Sequence, residues 1–177
     1  MPDGVFTLAV LTPEERLVDT PARSVELRSS DGELTVLDGH TPLVTDVVPG
    51  EVKVEPEEGD PVRLAVHGGF LQVETGPGLE PENGGDAAAA PSPGARSTRV
   101  TLLAGVAELA DQIDVPRAER AREEATVRVD ELRAATGRSG APGEAAEAPA
   151  TAEELELTQA EAALHRAELR LSIAGAD

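Results

Sequence analysis

The side chains able to do chemistry in this 177-residue chain are three histidines and 34 carboxylates, with no cysteine among them. His40 stands near Asp38 and Asp46, and His67 precedes Gly68 in a turn. Histidines beside carboxylates are the material of a metal site or an acid–base pair, but this spacing matches no ligand motif of the H-E-x-x-H kind. No metal is expected, and both read as loop and turn residues that satisfy nearby backbone groups. His165 falls in a helical stretch and reads as a solvated or half-buried helix residue. The chain has neither the phosphate-cradling G-x-x-x-x-G-K-[ST] loop nor the G-x-S-x-G nucleophile turn. No catalytic residue can be assigned, so an enzyme is the weakest reading. One segment is more specific. Ile113-Asp114-Val115-Pro116-Arg117-Ala118 opens a helix whose first amides, with Arg117, could accept phosphate oxygens. The same residues are equally explained as a cap, Asp114, and an exposed helix cation, Arg117.

The charge balance narrows the partners. A net charge of −19 and an aromatic share of 1%, with neither tryptophan nor tyrosine, exclude the basic face and stacking platform of a nucleic-acid binder. Contact with an anionic membrane surface is disfavoured on the same ground. No apolar run approaches the roughly 18 residues that a spanning helix needs. Without cysteine there is no disulfide framework and no thiolate site. Met1-Pro2-Asp3-Gly4 lacks the positive start of a secretory signal, so the chain is expected to stay where it is made.

The elements that must position these residues follow from two periods. Residues 1–74 alternate apolar and polar in short runs, the period of strands with one buried face: Phe6, Leu8 and Val10; Val25 and Leu27; Leu34 and Val36 after Asp31-Gly32; Val52 and Val54; Val62, Leu64 and Val66; Leu71 and Val73 after Gly68-Gly69. Such strands predict a sandwich or flattened barrel. From Thr75 to Thr98 glycine, proline, alanine and serine predominate, which predicts a disordered insertion between two strands, since the alternation resumes at Val100. After Ala104 the period becomes helical. Asp114 as N-cap, Pro116 in the first turn and a stripe of Ala118, Ala121, Ala125, Val129 and Leu132 predict a helix over 115–136, closed by Gly137. A second low-complexity stretch leads to a capping box, Thr151 with Glu154. Leu157, Leu164 and Leu171, beside Leu155, Ala162 and Leu169, then form one broad apolar face. The fold class is α+β: a sandwich domain over 1–104, with its insertion at 75–99, and a helical hairpin domain over 105–177, with a linker insertion at 137–150.

At this level the residues resemble a known family. Ser30-Asp31-Gly32-Glu33-Leu34-Thr35-Val36-Leu37-Asp38-Gly39-His40-Thr41-Pro42-Leu43, followed by Val48-Pro49-Gly50, is similar to the G-E-L…G-H-x-P-L…P-G signature of the ε subunit of F-type ATP synthases. Val66-His67-Gly68-Gly69-Phe70-Leu71-Gln72-Val73 resembles the hairpin that follows it, and Ile113-Asp114…Arg117-Ala118 the family's I/L-D-x-x-R-A motif. The resemblance implies a sandwich of about ten strands with two antiparallel helices. It implies a non-catalytic rotor subunit that binds the γ subunit and sits on the c-ring, coupling proton flow to ATP synthesis, peripheral to the cytoplasmic face of the bacterial plasma membrane. By the match, Glu33, His40 and Pro42 fall at the interface with the c-ring and γ. The hairpin would reach the α/β head and inhibit hydrolysis when extended. No cofactor is required. ATP enters as a regulatory ligand for which Glu108, Asp114, Arg117 and Ala118 occupy matching positions. Two departures, the segments 75–99 and 137–150, add bulk that works against the extended posture. The competing reading is a free-standing sandwich module for a protein or peptide partner.

Overall fold

In the computed structural model, which describes residues 4–77, 96–136 and 152–175, the expected alternation is realised as strands. They are β1 (Phe6–Leu11), β2 (Arg16–Ser29), β3 (Gly32–Leu37), β4 (Leu43–Val47), β5 (Gly50–Pro56), β6 (Val62–Val66), β7 (Gly69–Pro77), β8 (Arg96–Ala104) and β9 (Ala107–Leu109). The described residues thus hold nine strands where the resemblance implies about ten. Their hydrogen-bonded order is β1-β8-β7-β4-β2-β5-β6-β9, with β3 beside β2 and a further β1–β2 pairing. The 14-residue β2 pairs with β1, β3, β4 and β5 and so joins the two layers. Every second residue points inward. Phe6, Leu8, Val10, Val25, Val54, Leu64, Leu71 and Leu102 are fully buried between the layers, each contributing roughly 1.5–3 kcal/mol relative to exposure.

Local geometry departs from the expectations at four places. The β2–β3 hairpin turns at Ser30-Asp31 rather than Asp31-Gly32, because Gly32 already pairs with Ser29 as the first residue of β3. Gly68-Gly69 does not join neighbouring strands. It carries the chain from β6, which pairs with β5 and β9, to β7, which pairs with β4 and β8. At Gly69 a Cβ would overlap the Leu103 carbonyl oxygen, so only glycine permits this crossing. The disordered insertion predicted from Thr75 is corrected in part: pairing continues through Thr75↔Thr98, Gly76↔Ser97 and Pro77↔Arg96, while 78–95 lie outside the described residues. Composition reads Gly76 and Pro77 as loop, but the ladder of the opposite strand holds them. The domain limit also moves, since β9 pairs with β6 and the two compact units are Met1–Gln112 and Ile113–Asp177.

Within the second unit, α1 spans Val115–Thr136, as predicted, and α2 spans Ala152–Ala174. Asp114 caps α1: its Oδ1 accepts the Arg117 amide at 3.0 Å and its carbonyl accepts the Ala118 amide at 2.9 Å. Gly137 and Thr151, the expected cap residues between the helices, lie outside the described residues. The seam is Val129, Leu132, Leu157 and Ala160, with Leu164 packed against it. Leu155 and Ala162 face solvent, so the apolar face of α2 is narrower than predicted and follows Leu157, Ala160, Leu164, Ala167 and Leu171. Arg128 pairs with Glu156 at 2.8 Å and Arg133 with Glu161 at 2.9 Å across the helices.

Candidate functional site

The histidine-bearing signature folds into a turn and a short loop. The His40 amide donates to the Leu37 carbonyl at 3.1 Å, closing a four-residue turn in which Gly39 has φ +78°. That value at the third position is the type II geometry, which favours glycine. From outside the loop, the Thr98 hydroxyl accepts the Gly39 amide at 2.8 Å and the Thr75 hydroxyl donates to the His40 carbonyl at 2.6 Å. His40 Nδ1 lies 2.8 Å from the Thr41 carbonyl. His40 is half-buried and Pro42 exposed. Four contacts thus hold a short loop that ends in β4.

Glu33 is not part of that loop. It is an exposed residue near the start of β3, opposite Arg28 of β2, whereas His40 follows the other end of the same strand. Strand geometry puts about 13 Å between Glu33 and Leu37 alone. The structure brings His40 and Pro42 together and sets Glu33 apart, so the three do not make one patch.

The nucleotide candidates divide between the two units. Glu108 is half-buried in β9, opposite Ala65 of β6. Asp114, Arg117 and Ala118 share the first turn of α1, where Asp114 is committed to capping, Arg117 is exposed and Ala118 is buried. Among the described residues no three His, Asp or Glu side chains converge to hold a metal, and no helix is long and apolar enough to cross a membrane.

Sequence reasoning missed an apolar face. Phe70 of β7 stands opposite Leu103 of β8, which neighbours Leu11 of β1. Phe70 is 61% exposed, Leu103 46% and Val44 of β4 71%. One of the chain's two phenylalanines therefore faces solvent while the other, Phe6, is in the core. The signal was present as Phe70 and Leu103 falling out of phase with the buried Leu71 and Leu102.

Residues 5–76 match the family described as ATP synthase, Delta/Epsilon chain, beta-sandwich domain. An ATP synthase epsilon chain of Desulforudis audaxviator is 33% identical over 129 residues, 73% of this chain and 77% of that relative. The chain belongs to the ATP synthase epsilon chain family. A second epsilon chain, of Symbiobacterium thermophilum, is 32% identical over 172 residues, 97% of this chain and 94% of that one, a span that takes in both glycine- and proline-rich segments. A chain in the Euglena gracilis mitochondrial ATP synthase structure (OSCP/F1/c-ring in rotational state 1) superposes with a TM-score of 0.59 at 22% identity, covering 95% of this chain and 82% of that one. That likeness speaks for the fold. Family membership makes the chain a non-catalytic, central-stalk subunit of the ATP synthase complex rather than an enzyme by itself. It also displaces the free-standing module as a reading.

Proposed function

We propose that the sandwich couples rotation of the c-ring to the shaft by docking on the γ subunit through its outer β4–β7–β8 face. The observation that carries this is the exposed set Val44, Phe70 and Leu103, interleaved on that face with the exposed Asp46 and Gln72, large apolar side chains among polar ones as at a protein contact. Pro42, exposed two residues before Val44, continues that face into the His40 loop, so His40 and Pro42 belong with the γ contact. Glu33, separated along β3, is left for the c-ring. In this reading the chain is peripheral within the synthase, on the cytoplasmic face of the bacterial plasma membrane.

The test is binding of the full chain to the cognate catalytic head that retains γ but lacks this subunit. A Val44→Ser, Phe70→Ser double variant should dissociate at least tenfold faster, as loss of buried contacts worth about 1.4 kcal/mol requires. Unchanged binding would remove the face from the interface. Glu33→Gln should leave head binding intact and lower ATP-driven proton pumping per ATP hydrolysed in the whole synthase.

In the same reading the hairpin is a regulator of hydrolysis that meets the α/β head, with ATP as its ligand. Support comes from the thin α1–α2 seam and from the exposed Arg117 beside a capped helix N-terminus. A chain truncated after Gln112, which keeps β9, should bind the head without slowing hydrolysis, whereas the full chain slows it. Equilibrium binding of ATP to the full chain, weakened by Arg117→Ala, tests the ligand; no binding at millimolar ATP ends that part.

A further inference from the structure

Along β7, Leu71 and Val73 point into the core, and along β8 Leu102 and Val100 do the same. Continuing either alternation outward reaches a threonine: Thr75 in β7 and Thr98 in β8, which stand directly opposite each other. A valine of the same shape would suit both positions if packing were all that mattered. Thr98 is only 2% exposed, and burying a hydroxyl there is unfavourable unless it is hydrogen-bonded. Both hydroxyls are spent on one target. Thr98 accepts from the Gly39 amide and Thr75 donates to the His40 carbonyl, so a donor and an acceptor from one cross-strand pair grip successive residues of the β3–β4 turn.

We propose that Thr75 and Thr98 are positioning residues that fix the Leu37–His40 turn and thereby set how His40 and Pro42 are presented to the γ subunit. The inference rests on the reading of that loop as part of the γ contact. A loop joined to the sheet only by its two ends would sample many conformations, and ordering it at the moment of docking would weaken binding. The threonine pair makes that ordering part of the folded chain. The free amide and carbonyl of the turn receive partners from β7, the direct neighbour of β4, and from β8 beyond it, more than thirty residues away in sequence, so the device depends on the β4–β7–β8 pairing.

The experiment compares full-length Thr75→Val, Thr98→Val with Thr75→Ser, Thr98→Ser, the second retaining both hydroxyls. Amide hydrogen exchange of the free chain should be about tenfold faster at Gly39 and His40 in the valine variant, with the Leu71 and Val54 amides unmoved, and near the parent rate in the serine variant. Dissociation from the γ-containing head should quicken several-fold for the valine variant and return toward the parent value for the serine variant. Unchanged exchange at Gly39 in the valine variant overturns the proposal. Equal losses for valine and serine also overturn it, by assigning the effect to packing. A His40→Ala, Pro42→Ala chain separates the two levels. If it dissociates faster while the valine variant does not, the positioning role alone fails; if it too binds as the parent does, the reading of the loop as a γ contact fails.

Discussion

The sandwich and the hairpin are built from the same acidic, aromatic-poor sequence, yet they are held together by different means. In the sandwich, branched side chains such as Leu8, Leu64, Leu71 and Leu102 are wholly buried by partners far along the chain. In the hairpin, the seam is Val129, Leu132, Leu157 and Ala160, reinforced by two exposed ion pairs. Alanine at a seam buries little more than a methyl group, and exposed ion pairs contribute little. The helices owe much of their persistence to local terms: length, good helix formers such as Ala, Glu, Arg and Leu, and the Asp114 cap. Burial across long sequence distances gives one rigid arrangement, while local helicity survives a change of neighbour. A regulator that exchanges one docking surface for another needs the second kind of element, and a coupling module needs the first.

That contrast can be broken by substitution. The largest effect is expected for Leu71→Ala in the sandwich core, about 3 kcal/mol of lost stability by urea unfolding; a loss below 1 kcal/mol would mean the core is less tightly packed than its burial indicates. Leu157→Ala in the hairpin seam should cost about 1–2 kcal/mol and appear as lost helical dichroism in a separate, earlier transition, with the sandwich transition unmoved. Coincident loss of both would show one cooperative unit and undo the comparison. Removing the cap with Asp114→Ala should cost about 1 kcal/mol of helix stability, read by amide exchange in the first turn of α1. Smallest of all, a double-mutant cycle on Arg128 and Glu156 should return about 0.5 kcal/mol at low salt and nearly nothing at 1 M. A coupling that survives high salt would make that pair a real determinant of hairpin register.

Much of this was legible where structure follows from local pattern. The alternation of Phe6, Leu8 and Val10, the cap at Asp114 and the limits of α1 at 115 and 136 all appear where the residues indicate. Legibility failed where a partner distant in sequence decides. Gly76 and Pro77 read as loop but are paired through Ser97 and Arg96; Ala107 to Leu109 read as the approach to a helix but pair with β6; Leu155 and Ala162 fit a heptad but face water. At the candidate site, the motif indicated His40 and Pro42, yet no local rule separates Glu33 from them, because only the course of β3 does. Thr75 and Thr98 left a readable trace as hydroxyls on the inward phase of two apolar strands. Their shared target could not be read, since it is set by the pairing of β7 with both β4 and β8.

One pairing reaches beyond stability. β1 lies between β2 and β8, and its contact with β8 is parallel, joining Leu8 to Val100 and Val10 to Leu102. During synthesis β1 can meet β2 early, but its other edge has no partner until β8 has been translated, near the end of the first unit. The sandwich is therefore a late-closing structure, its nascent form carrying an open strand edge through most of its time on the ribosome. Chains arrested before Val100 emerges should be cut readily by protease, and those released past Leu109 should resist it, so that the interval most exposed to aggregation and chaperone capture is fixed by the position of β8 in the message.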